Sequence, residues 1–325
     1  MPLDLGVFIY GEHAADLLFN QCERAGGRHA HLRLRPGDRG ADHLLVLAPP
    51  VGPDSRPKPP NGPRRWRARR RGDWDAVWAD YAWEKLGRDP GDITALVYEP
   101  VEAFTDAWWD VARRRASRVF GPDARATHPI PLPVMWSFDE PASALRGEGP
   151  PEDKPVPLVA VTSGTTHHPG HRERMRFLED LRRAGVPFEL YGRRLPASLG
   201  PVGPLRSKAN ALRPARCALV IENSSSGDLY VTEKLWDALL CWTLPLYFGT
   251  AAPDAMIPPE SFVRLPDLGE RGIETVRAVA GDPEAWRGRL GAIAEARRRI
   301  LGPLRLVEWA ASVIPGGAGP VPCPP

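Results

Sequence analysis

Glu222, Asn223, Glu233 and Lys234 stand close together in the chain, joined by a loop that holds Ser224, Ser225, Ser226, Gly227, Asp228 and Tyr230. A lysine in the first turn of a helix suits an anion, because that end exposes unpaired amide N–H groups and the positive pole of the helix dipole. The elements around these residues supply such a helix. Ala218 to Ile221 is a short apolar run suited to a strand buried on both faces. Thr232 is placed to cap a helix that begins with Glu233 and Lys234. Its apolar stripe is Leu235, Ala238, Leu239 and Trp242, at i, i+3, i+4 and i+7. Leu244 to Phe248, closed by Gly249, returns as a second strand. The unit is β-α-β, and its crevice is the anion site of an open α/β sheet.

Two further positions could join that chemistry. Thr162-Ser163-Gly164 ends an earlier apolar strand, and the following loop delivers Arg174 into a helix whose apolar side is Phe177, Leu178 and Leu181. Arg172 is the alternative. In the first half, Leu96-Val97-Tyr98-Glu99-Pro100 ends a strand with a carboxylate at its C-terminal edge, where open sheets place ligands. Glu102 is the alternative there.

The strings Ile-Glu-Asn-Ser, Asp-Leu-Tyr-Val-Thr-Glu-Lys-Leu-Trp-Asp-Ala and Thr-Leu-Pro-Leu-Tyr-Phe-Gly closely resemble the signature of glycosyltransferase family 10. These are the α-1,3/1,4-fucosyltransferases, which use GDP-fucose. Ile257-Pro258-Pro259-Glu260-Ser261-Phe262-Val263 with Asp267 resembles the family's next segment, so the likeness runs from Leu158 to Asp267. The resemblance implies a GT-B-like α/β fold, two Rossmann-like domains facing across a cleft. It also implies an inverting, metal-independent transfer of fucose from GDP-fucose to a glycan or glycoconjugate hydroxyl, with no cofactor beyond the donor. Arg174 would be the phosphate-binding arginine and Lys234 its partner. Glu233 would be the acid beside the donor sugar and nucleotide. Asn223 and Tyr230 would be donor contacts, and Glu222 the acid before that Asn. Lys208 is similar to a lysine that precedes the signature. Glu99 resembles the general base, at the end of a strand in the acceptor-side domain. Two other readings remain open: the same fold using another nucleotide sugar, and a GDP-sugar-binding protein without catalysis.

Composition narrows the classes. Lys and Arg number 43 against 40 Asp and Glu, so no global field favours nucleic acid. Six arginines between Arg64 and Arg71 form a local basic run, read as a solvated loop or as a peripheral contact with an anionic membrane. The 38 prolines and 31 glycines are about a fifth of the 325 residues, below the roughly 25–30% of low-complexity disorder. Four scattered cysteines suggest neither a disulfide framework nor a zinc site. Asp73-Trp74-Asp75 is a D-x-D, but it follows the arginine run instead of a buried strand, and no metal is expected on it. His167, His168 and His171 lack a neighbouring acid or Cys and are read as a polar loop or a donor contact. With no basic n-region and no long apolar run, the chain is expected to be soluble and cytosolic, as in bacterial-type members of the family and unlike its membrane-anchored Golgi members.

The expected organisation is an N-terminal domain over 1–145, with a Pro/Arg-rich insertion at about 50–72, and a C-terminal domain over 155–302. A final helix and an unstructured tail fill 303–325, and Pro141 to Pro157 serve as the linker. Strands are expected at Leu5–Tyr10, His43–Leu47, Ile93–Tyr98, Arg118–Phe120, Leu158–Thr162 and Phe188–Tyr191. Helices are expected at Glu12–Arg24, Phe104–Arg115, Arg174–Arg183, Gly272–Ala280, Pro283–Ile300 and Leu304–Val313, with an aromatic helical face around Trp78. This alternation argues for parallel sheets.

Overall fold

Short apolar runs flanked by Gly, Pro and polar residues give two separate sheets in the computed structural model, which describes residues 2–9, 18, 20–22, 27–47, 74–166 and 169–315. Arg64–Arg71, Asp73, His167, His168, most of the expected Glu12–Arg24 helix and the tail beyond 315 lie outside the described residues. The chain divides into two units: Met1–Leu132 together with the stretch from Leu306 onward, and Pro133–Arg305.

In the first unit the strands are β1 (Leu3–Ile9), β2 (Arg28–His29), β3 (Leu32–Pro36), β4 (His43–Leu47), β5 (Ile93–Leu96), β6 (Arg118–Gly121) and β7 (His128–Pro129). They lie in the order β2-β3-β1-β4-β5-β6-β7, parallel except for the β2–β3 pair. β4 and β5 are buried throughout, as their largely apolar runs require. β2 and β3 were not among the expected strands. Leu32 and Leu34 alternate with Arg33 and Arg35, a half-buried pattern of period two, and the arginines mask it in a composition-led view. Helices α1 (Trp74–Glu84) and α2 (Asp106–Arg115) accompany this sheet. α2 begins two residues later than expected, because the hydroxyl of Thr105 accepts the N–H of Trp108 as its cap. Its Trp108 and Trp109 are buried, and Trp108 stacks on Phe104 with ring centroids 3.9 Å apart.

The second unit holds β8 (Val156–Val161), β9 (Glu189–Tyr191), β10 (Ala215–Ile221), β11 (Leu244–Phe248) and β12 (Val263–Arg264), all parallel, in the order β12-β11-β10-β8-β9. Its helices are α3 (Ala142–Gly147), α4 (Pro169–Arg183), α5 (Ala209–Leu212), α6 (Glu233–Leu240), α7 (Ala252–Met256), α8 (Glu270–Gly281), α9 (Pro283–Arg287) and α10 (Leu290–Ile300), while α11 (Leu306–Val313) belongs to the first unit. Short elements such as α5, α7 and β12 were not among those expected, and three longer stretches differ from expectation. The linker stretch opens with α3, whose Ala142 and Leu145 are buried. α4 starts five residues before Arg174, since Pro169 fits the first turn of a helix. The expected helix over Pro283–Ile300 breaks at Gly288 into α9 and α10.

Strand order decides where the second unit binds. From β8 the chain goes to β9 on one side, then returns to β10 on the other. The gap between the C-terminal ends of β8 and β10 is therefore the topological switch point, where open α/β sheets take ligands.

Candidate functional site

Four segments converge on that switch point: the end of β8, helix α4, the residues after β10 and the start of α6. One pocket is lined by Thr162, Arg174, Lys208, Ile221, Lys234 and Asp237, among others. Three of those six side chains are cationic.

Glu222 follows β10 directly and is 2% exposed. Its carboxylate is fully occupied by protein. Oε1 accepts the Thr232 N–H at 2.8 Å, and Oε2 accepts the Thr232 hydroxyl at 2.7 Å and Lys234 Nζ at 3.0 Å. Glu222 was expected among the donor-binding residues; the structure shows it bracing the start of α6 from behind. Gly249 allows this closeness, since a Cβ there would stand 2.9 Å from Glu222 Cγ and 2.3 Å from the Tyr247 hydroxyl. Thr232 does occupy the cap position of α6, but its hydroxyl makes no capping bond. It bridges Glu222 and Lys234 instead, accepting Lys234 Nζ at 2.7 Å.

Arg174 is 5% exposed on the inner face of α4. Its Nη1 donates to Asn223 Oδ1 at 2.9 Å and more weakly to the Ile221 carbonyl at 3.4 Å. Its Nε is buried without an acceptor among the described residues. Burial lowers its proton affinity, against the pull of Glu222, Tyr230 and Glu233. A buried guanidinium with an unused donor is costly unless something accepts it. Gly170 fixes the geometry: its backbone lies so close to Asn223 that a Cβ would be 2.1 Å from the Asn223 carbonyl oxygen.

Glu233 and Lys234 open α6 as expected. Lys208 Nζ, just before α5, donates to Glu233 Oε1 at 3.2 Å and to Asp237 Oδ2 at 3.0 Å. Asp237 is 1% exposed; its Oδ1 accepts the Ser137 N–H at 2.8 Å, and the Ser137 hydroxyl donates to Oδ2. Burial opposes ionisation of Glu233, but the charges of Lys234 and Lys208 and the bond from Lys208 outweigh it, holding its carboxyl well below the usual range. For Asp237 burial wins and pushes the carboxyl up, despite Lys208 and Ser137. Lys208 is likewise penalised by burial, yet Asp237 and Glu233 raise its affinity for its proton.

Of the other expected residues, Tyr230 is buried, and its carbonyl accepts the Thr250 hydroxyl at 2.8 Å. Arg172 is exposed and donates to the Thr166 carbonyl at 3.1 Å, away from the pocket. His171 is buried in α4. Asp267 accepts the N–H groups of Gly269 and Gly272 and so caps α8. Glu99 is exposed at a bend just past β5, and Glu102 is exposed in the 3-10 turn that follows; both belong to the first unit. Asp237 and Ser137 were missed. The one available signal was an acid inside the otherwise apolar run Leu235–Leu240.

Comparison with known proteins finds a family match for part of the sequence. Residues 154–282 match the C-terminal domain of glycosyltransferase family 10 (fucosyltransferase). No curated protein matches the sequence. An alpha-glucosyltransferase solved with UDP and a 13-mer DNA containing a central A:G mismatch superposes with a TM-score of 0.57 at 10% identity, covering 92% of this chain and 95% of that one. An alpha1,3-fucosyltransferase superposes with a TM-score of 0.48 at 16% identity, over 89% of this chain and 81% of that one. The likeness to the alpha-glucosyltransferase is one of fold, and the fold is mixed α/β with parallel sheets, as in GT-B glycosyltransferases.

Proposed function

We propose that the chain is a member of glycosyltransferase family 10, the fucosyltransferases, whose C-terminal domain its residues 154–282 match, and that it transfers L-fucose from GDP-β-L-fucose to a hydroxyl of a glycan or glycoconjugate, with inversion and without a metal. The observation that carries this reading is the buried guanidinium of Arg174, with an N–H that has no acceptor among the described residues, on the same pocket as Lys234 at the switch point of a parallel sheet. That is a seat for a diphosphate.

Sugar transfer develops positive charge on the ring and negative charge on the departing diphosphate. Arg174, Lys234 and the amides at the start of α6 would take up the negative charge. Asn223 and Tyr230 would help to hold the donor, and Glu233 would hold hydroxyls or steady the cationic ring. Glu222 would act through Lys234. The acceptor oxygen attacks the anomeric carbon, the bond from that carbon to the phosphate oxygen breaks with its electron pair leaving on GDP, and the hydroxyl proton goes to the general base. We assign that base to Glu99, a carboxylate at the C-terminal edge of β5. A β-linked donor then gives an α-linked product.

Turnover of GDP-fucose, GDP-mannose and UDP-glucose with a glycan acceptor panel tests the proposal. GDP-fucose should be consumed in preference, and Glu99→Gln should lower transfer by about 10²-fold or more with GDP affinity unchanged in a calorimetric titration. Preference for another donor would fix the same fold to that sugar. GDP binding without turnover of any donor would leave a binding protein. Retained transfer in Glu99→Gln would remove Glu99 from the base role.

A further inference from the structure

The site sets three cations, Arg174, Lys208 and Lys234, against three carboxylates, Glu222, Glu233 and Asp237, and the two sets are not equally placed. The Glu222 and Asp237 side chains are sealed in, whereas those of Lys208 and Lys234 keep 30% and 21% of their surface exposed. Lys208 has two partners of different kinds. Asp237 is fixed by both the N–H and the hydroxyl of Ser137. Glu233 is partly exposed, and its nearest cations are Lys208 at 3.2 Å and Lys234 at 4.0 Å. An ammonium has three N–H bonds, and those two carboxylates are the acceptors of Lys208 among the described residues.

We propose that Lys208 is a third ligand of the donor's diphosphate, and that it takes up this role by exchanging Glu233 for a phosphate oxygen while Asp237 keeps it in place. The proposal rests on the reading of this pocket as a diphosphate seat and assigns it a component outside the Arg174 and Lys234 pair. The asymmetry of the two contacts supports it. Breaking Lys208 from Asp237 would leave a buried carboxylate with its charge uncompensated, which is costly. Breaking it from Glu233 costs less, because that carboxylate keeps 28% of its surface exposed and still has Lys234 at 4.0 Å. Lys208 already lines the pocket together with Arg174 and Lys234, and a phosphate oxygen carries the charge needed to replace the carboxylate. The released Glu233 can then accept hydroxyls of the donor. Asp237 and Ser137 are positioning residues, acting through Lys208.

The test is calorimetric titration of the full chain with GDP and with GMP, comparing wild type, Lys208→Arg, Lys208→Met and the double variant Lys208→Met with Asp237→Asn. Lys208→Met alone strands the Asp237 charge, so the double variant, which removes both charges, carries the decisive comparison. The expected result is a loss of GDP affinity of about tenfold or more in the double variant, a change of less than about threefold for GMP, and near wild-type GDP affinity in Lys208→Arg. GDP affinity equal to wild type in the double variant overturns the role of Lys208. An equal loss for GDP and GMP overturns it too, since that reports a general disturbance of the pocket. If the wild type itself binds no GDP, the failure belongs to the reading of the pocket as a donor site.

Discussion

Lys234 is held where it is by a carboxylate that has no other business with solvent. Removing Glu222 would leave the ammonium without its buried partner and the Thr232 N–H without an acceptor. Glu222→Ala should therefore cost about 2–4 kcal/mol, seen as a lowered midpoint of chemical unfolding, and should weaken GDP binding with it. Loss of GDP affinity with stability intact would place Glu222 in direct contact with the donor. At this scale the sequence was informative where the partners are neighbours in the chain. Glu222, Asn223, Tyr230, Glu233 and Lys234 occupy one short stretch whose order could be recognised. The contact between Ser137 and Asp237 spans 100 positions, and no local pattern announces a bond across such a distance. Lys208 lay between these cases: its type was suggestive, but its partners are set by how α5 packs beside α6.

At the scale of elements, four of the five strands of the second sheet were legible from short apolar runs, such as Ala218–Ile221 within β10 and Leu244–Phe248 in β11, whereas the two-residue β12 was not. Helix ends were less so, since they depend on single residues: Thr105 delays α2, Pro169 advances α4, and Gly288 divides α9 from α10. Thr232 shows how a side chain at a cap position can be diverted to a site. In the first sheet, β4 begins with His43, buried and joined through Nε2 to the Thr94 hydroxyl of β5 at 3.0 Å. Burial, assisted by Arg118, pushes its pKa from an ordinary 6.5 down to about 4. The unfolded chain thus takes up a proton near pH 6.5 that the folded sheet refuses until about pH 4. Stability should fall by about 3 kcal/mol as pH drops through that window and level off below it. Urea unfolding at pH 7 and pH 4.5 should show this decline in the wild type and a smaller one in His43→Leu; identical declines would remove His43 as the source.

Across the whole molecule, alternating strands and helices indicated two parallel-sheet units, and the structure has two. The allegiance of the last helix was not visible, because amphipathicity says that a face is buried and not against what. α11 joins the first unit. His29 Nε2 lies 3.0 Å from Glu308, the Val307 N–H donates to Gln21, and Trp309 meets Phe120 edge-on at 5.1 Å. Leu306, Val307 and Ile314 are buried. Ending the chain at residue 305 should therefore destabilise the first unit by about 5 kcal/mol and leave the second nearly unchanged. Differential scanning calorimetry should show one transition moved down and one kept in place; two unmoved transitions would refute this. The same connectivity bears on biosynthesis. The second unit is one continuous stretch, whereas the first waits for residues made after it. On the ribosome the later-synthesised body can therefore be the first to finish, because the first unit is complete only once the α11 stretch has emerged.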